Sequence, residues 1–135
     1  MAVWEFIAQI TPYAIAYTIP LLVTALGGLY SERSGVVNIG LEGLMVIGSF
    51  AGAFAILLLP DSLGVWRVWL GILIAMAAGA LFSLLHAFAS INLGANQVIS
   101  GTAINMIAGA LTVFLARTIT GSGNIRVSEI GRAHV

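Results

Sequence analysis

Two stretches carry the residue types that could act on a polar ligand. The first is Ser31 to Gly43, reading SERSGVVNIGLEG, with Asn38 and three of the ten formal charges, Glu32, Arg33 and Glu42. The second runs from Asn92 to Asn105 and holds Asn96, Gln97, Ser100, Thr102 and Asn105. Both lie between strongly apolar runs, where charge and polarity are costly and tend to mark function. A solute pathway through a membrane needs such groups at depth. It also needs helices that end or unwind there, so that free N–H or C=O groups face the solute. Gly35, Gly40 and Gly43 license irregular backbone in the first stretch. In a helix starting near Gln97, residues 98, 101/102 and 105 share a face, so Thr102 and Asn105 are expected to point together.

Each of these residues also has a plainer role. Asn105 can be a pathway residue or packing glue between helices, worth about 0.6 kcal/mol on average. Asn96 and Gln97 can be an ordinary turn or substrate contacts. Glu42 can answer the macrodipole of a helix N-terminus, pair with Arg33, or line a pathway. Glu32 and Arg33 read as a solvated interfacial pair of little energetic weight. Asn38, Glu42, Asn96, Gln97, Thr102 and Asn105 form the candidate pathway set.

Enzymatic chemistry finds little footing. There is no H-E-x-x-H motif, no paired-carboxylate arrangement and no cysteine. The chain has no lysine, so no P-loop for nucleotide is present. No metal site is expected. His86 stands alone in an apolar run and reads as a packed histidine with a local carbonyl partner rather than a ligand. Five arginines balance five acids, which gives no basic field for nucleic acid.

These residues must be positioned by membrane spans. The 135-residue chain is 60% hydrophobic and 7% charged, against about 25% charged in soluble domains. Its mean hydropathy is +1.08. The N-terminus has no basic residue before its apolar run, so it reads as a retained span rather than a secretory signal.

Phe6 to Ser31 is a charge-free run, about 39 Å as a helix, enough to cross a core of about 30 Å. Pro12 and Pro20 predict a kink, with Thr11, Thr18 and Thr24 at hand for the freed carbonyls. Gly43 to Pro60 is a second span, closed by Pro60-Asp61-Ser62 and Gly64. Val68 to Ala116 carries no formal charge. At about 74 Å it is too long for one crossing and must turn, at Asn92 to Gln97. The fold class is therefore all-α, a polytopic transmembrane helical bundle of about four spans. Gly48 with Gly52, the stripe Gly71, Ala75, Gly79, Ser83 and Ala87, and Gly101 with Gly109 are expected packing faces. Arginine placement favours a cytoplasmic N-terminus. A faint echo relates Ser34-Gly35 before Asn38 to Ser100-Gly101 before Asn105.

Within the last seven residues, EIGRAHV, the string IGRAHV resembles the translation of the start of a common short-read sequencing adaptor, with Glu129 as the junction codon. Residues 129–135 are therefore expected to be an artefact, with residues 1–128 the N-terminal part of a longer domain. His134 falls in this tail. In such a fragment the Gly48/Gly52 pair and the Gly71–Ala87 stripe are expected to be partly unfilled.

The strings LGGLYSERSGVVNIGLEGLMVIGSFAGAF and LGANQVISGTAINMIAGALTVFLAR resemble the membrane permease subunit of bacterial ABC importers. The resemblance is to the nucleoside and simple-sugar type, whose binding proteins are lipoproteins of the basic-membrane-protein kind. It covers about Pro20 to Arg117. It implies a multi-pass protein of the bacterial inner membrane that works with a second permease subunit, cytoplasmic ATPase subunits and an extracytoplasmic binding lipoprotein. It also implies that ATP is bound by those ATPase partners, with no cofactor in this chain and no catalysis by it. A branched-chain amino acid permease is the alternative within transport. A small helical membrane scaffold without a pathway is the alternative outside it.

Overall fold

A computed structural model describes residues 3–123. The tail at 129–135 lies outside the described residues. Among those residues the secondary structure is helical, with four helices long and apolar enough to cross a membrane. They are α1 (Val3–Arg33), α2 (Leu41–Leu58), α3 (Trp66–Ala87, continued to Asn92 by a π-helical turn over Phe88–Asn92) and α4 (Gln97–Thr120). A 3₁₀ turn at Asp61–Leu63 joins α2 to α3. The chain divides into two compact units, residues 1–37 and 38–135.

The first unit is α1 and the turn after it. Both prolines sit inside one continuous helix of 31 residues, about 46 Å long. Pro12 removes the amide that would have bonded the Ala8 carbonyl. The Thr11 hydroxyl donates instead to the Ile7 carbonyl at 2.7 Å, one residue short of the freed group. α1 ends in a turn at Gly35, whose φ of 87° is a left-handed value that favours glycine. The Ser31 hydroxyl fastens this turn by donating to the Val36 carbonyl at 2.7 Å.

In the second unit α2 is the hub, packed on α3 and on α4, while α3 and α4 touch each other less. Between α2 and α3 the small-residue faces meet along Gly48, Gly52, Gly71, Ala75 and Gly79, while Ser83 and Ala87, later in the stripe, are half-buried. A Cβ built on Gly52 would lie 3.1 Å from the Ala75 Cβ and 3.2 Å from the Gly71 carbonyl oxygen. One on Gly48 would lie 3.4 Å from the Ala75 carbonyl oxygen, and one on Gly79 would lie 3.9 Å from that of Leu44. These pairings run in opposite directions, so α2 and α3 are antiparallel. Ile56 fills the notch at Gly71, where an added Cβ would meet its Cγ1 at 2.6 Å. Without hydrophobic drive between helices in lipid, such close backbone approach supplies the packing energy.

The loop end of this pair is held by Arg67. Its Nε donates to the Ile56 carbonyl at 2.6 Å, one of the carbonyls left open at the end of α2. Its guanidinium also pairs with Asp61. On α4 the buried stripe is Gly101, Ile104, Ala108, Thr112 and Ala116. Thr112 returns its hydroxyl to the Ala108 carbonyl at 2.8 Å, which lets a polar residue sit in the stripe without an unmet donor.

Candidate functional site: the α2–α4 junction

Gly40 leads into α2 with no side-chain cap of its own. The open amide of Gly43, in the first turn, finds its acceptor 62 residues away: Asn105 Oδ1 takes the Gly43 N–H at 2.7 Å. The same amide group donates through Nδ2 to the Ile39 carbonyl at 3.1 Å. Asn105 therefore caps α2 from α4 and holds the incoming chain at once. Asn38 completes the set, its Oδ1 accepting the Gly40 N–H at 2.9 Å. Two asparagines thus serve three backbone groups of an irregular segment. An amide has both a carbonyl and an NH₂, which a carboxylate or a hydroxyl cannot match in this pattern.

Glycines make this reach possible. A Cβ on Gly43 would lie 2.9 Å from the Asn105 Cα, its Oδ1 and the Ile104 carbonyl oxygen. One on Gly101 would lie 2.9 Å from the Gly40 nitrogen, and one on Gly40 would lie 3.1 Å from the Gly101 carbonyl oxygen. All three glycines are buried.

The junction sets the depth at which α2 begins. Gly40 is level with Gly101, four residues into α4, so α2 starts about 6 Å below the start of α4. Leu44 is level with Gly79 on the antiparallel α3, which places Gly40 near Ser83. From there α3 continues through Ala87 and the π turn to Asn92. Non-helical backbone beneath the ends of its neighbours survives in a membrane only where protein or a wet cavity receives it. Here Asn38 and Asn105 receive it.

The remaining candidates are placed as follows. Glu42 is exposed, in the first turn of α2. Asn96 caps α4, its Oδ1 accepting from Val98 N at 2.9 Å and Ile99 N at 3.3 Å. Gln97 is the first residue of that helix. Thr102 is exposed and returns its hydroxyl to the Val98 carbonyl at 2.8 Å, so its partner differs from those of Asn105. Gly48, Gly52, Gly71, Ala75 and Gly79 lie at the α2–α3 contact, and Gly101 lies at the α2–α4 contact. The Ser83 hydroxyl bonds the Ala80 carbonyl at 2.7 Å. Gly109 has open space where a Cβ would stand. His86 is 2% exposed, and its Nδ1 lies 3.0 Å from the Ser100 hydroxyl. The sequence suggested a local carbonyl for His86. The serine across the helix hairpin was visible only as one polar residue among several. No group of three or more metal-ligating side chains occurs among the described residues.

A family profile described as the permease component of branched-chain amino acid transport systems matches residues 10–133. This chain belongs to that family. Permease components are transport subunits of the membrane, and the four spanning-type helices fit a multi-pass inner-membrane protein. Among curated relatives, the guanosine ABC transporter permease protein NupQ of Bacillus subtilis is 51% identical over 121 residues. That covers 90% of this chain and 38% of the relative. The nucleoside ABC transporter permease protein NupC of Lactococcus lactis is 44% identical over 115 residues, covering 85% of this chain and 36% of the relative. A Haloferax volcanii permease named provisionally for glucose is 36% identical over 117 residues, covering 83% and 34%. The chain thus spans little more than a third of the length of the curated relatives it matches. No solved structure matches.

Proposed function

We propose that this chain forms part of the transmembrane subunit of an ATP-driven importer that carries nucleosides across the bacterial inner membrane. The observation that carries the proposal is the 51% and 44% identity to permeases named for guanosine and nucleosides, over 90% and 85% of this chain. The junction geometry supports a pathway role for unit 2. A helix that begins beneath its neighbours, with glycine-tight packing behind it, supplies a fixed wall at depth. The exposed carboxylate of Glu42 and the segment Asn38–Gly40 lie at that level. Asn105 acts chiefly by holding this wall in place, since both ends of its amide are committed to backbone.

ATP would be bound and hydrolysed by cytoplasmic partner subunits. A second permease subunit would complete the pathway, and an extracytoplasmic binding lipoprotein would deliver the solute. The chain itself would catalyse no reaction. The relative named for glucose keeps simple sugars within the substrate class, and the family description keeps branched-chain amino acids as the second reading.

The test is uptake of radiolabelled guanosine, ribose, glucose and leucine by cells carrying the complete transporter, with and without the permease gene. Permease-dependent guanosine uptake is expected. Permease-dependent leucine uptake without guanosine uptake replaces this reading with the second one. If Asn105→Ala and Glu42→Gln both leave uptake unchanged at normal expression, the junction is not part of the pathway.

A further inference from the structure

His86 and Ser90 take no part in the α2–α4 junction, yet both are polar groups withdrawn from solvent at one end of a long apolar helix. His86 is 2% exposed and reaches across the hairpin to Ser100 on α4 at 3.0 Å. An ionisable side chain buried within a span marks function by default. The bond also spans a thin seam, because α3 and α4 touch each other less than either touches α2. Four residues after His86, the Ser90 hydroxyl is buried with no hydrogen-bond partner. It lies in the π-helical turn Phe88–Asn92, which is closed by Leu93 N–H to the Phe88 carbonyl at 3.2 Å and Ala95 N–H to that of Ala89 at 3.0 Å. Such turns are frequent at functional sites. Side chains four residues apart on a helix are neighbours.

We propose that the His86–Ser100 hydrogen bond is a latch across the α3–α4 seam, and that Ser90 is the alternate partner of Ser100 when the seam shifts. The proposal rests on the importer reading for its role in transport. A buried hydroxyl without a partner is unfavourable, and a second arrangement in which Ser100 bonds Ser90 relieves it. Hydrogen-bond exchange of this kind gives two discrete states rather than a continuous slide, as bistable helix contacts do. The π turn supplies the backbone slack, next to the latch and away from the glycine-locked junction. His86 and Ser90 are positioning residues: they set the seam and do not touch solute.

The test uses the full-length permease in its complete transporter. Ser90→Ala should leave the melting temperature unchanged or higher, because it removes an unmet donor. It should lower maximal uptake about threefold or more with KM unchanged, the scale expected for one hydrogen bond made in only one state. His86→Asn, whose amide can stand where Nδ1 stands, should retain more uptake than His86→Gln. These 135 residues contain no cysteine, so paired substitutions report the seam once any cysteines elsewhere in the transporter have been replaced. Cross-linking of His86→Cys with Ser100→Cys should dominate at rest. Cross-linking of Ser90→Cys with Ser100→Cys should rise when ATP and vanadate trap the transporter. Cross-link yields indifferent to nucleotide state, or Ser90→Ala with a lower melting temperature and wild-type uptake, would overturn the latch. Loss of uptake for every solute class in the wild-type transporter, with the cross-link exchange intact, counts against the proposed function and leaves the latch standing.

Discussion

Replacing Gly43 by alanine tests the junction most directly. In a helix interior, alanine is ordinarily better than glycine by about 0.8–1.0 kcal/mol. Gly43 is helical and its φ is not positive, so propensity alone predicts a more stable protein. The space predicts the opposite. The added Cβ would stand 2.9 Å from the Asn105 Cα, the Asn105 Oδ1 and the Ile104 carbonyl oxygen. Two of those atoms are backbone and cannot rotate away. Relief requires α2 and α4 to separate, which also lengthens the 2.7 Å bond from Gly43 N–H to Asn105. Overpacking costs about 1–3 kcal/mol, and weakening this part-buried bond costs about 1 kcal/mol more. The sum outweighs the propensity gain, for a net loss of about 1–3 kcal/mol. Gly109→Ala is the control, because its added Cβ meets nothing within 4 Å. The assay is thermal unfolding of the purified transporter in nanodiscs, with uptake measured in parallel. Gly43→Ala should melt below wild type and Gly109→Ala at or above it. A Gly43→Ala protein that melts as high as Gly109→Ala refutes the close-contact account of the junction.

Other outcomes follow from the same geometry. Asn105→Ala strands the Gly43 N–H and the Ile39 carbonyl, and should cost about 1–3 kcal/mol with a loss of uptake; wild-type melting and uptake together would refute the clamp. Gly71→Ala should cost less than Gly43→Ala, because the atoms it meets within 3.0 Å are side-chain carbons of Ile56 rather than backbone. Combining Gly71→Ala with Ile56→Ala, which removes both the Cγ1 and the Cδ1 that the new Cβ meets, should cost less than the sum of the two single changes in a double-mutant cycle, and strictly additive losses would contradict that contact. Asn96→Ala should cost about 1 kcal/mol by removing the cap of α4, with Asn96→Asp restoring most of it in the same melting assay. Asp61→Asn should change stability by less than about 1 kcal/mol, because the carboxylate is 77% exposed, whereas Arg67→Ala should cost more by also opening the Ile56 carbonyl.

The spans were legible in the sequence because lipid imposes a simple rule on length and charge. The charge-free run from Val68 to Ala116 is too long for one crossing, and the turn falls at residues 93–96 between Asn92 and the first residue of α4. The stripe on α3 and the Gly48/Gly52 pair were visible as faces, since periodicity is a property of one helix. That these two faces meet each other was not visible. Pairing depends on which helices become neighbours and in which direction they run, and neither is written in a local pattern. The same limit applies to the polar residues. Type and spacing put Asn38, Asn96 and Asn105 in one candidate set. Tertiary contact then gave them different backbone partners: a turn for Asn38, the cap of its own helix for Asn96, and the cap of a distant helix for Asn105. The stretch Ser31 to Gly43 determined by itself that irregular backbone would enter α2. Only the approach of α4, through glycines too close for any side chain, decided how deep that entry lies and which amide holds it.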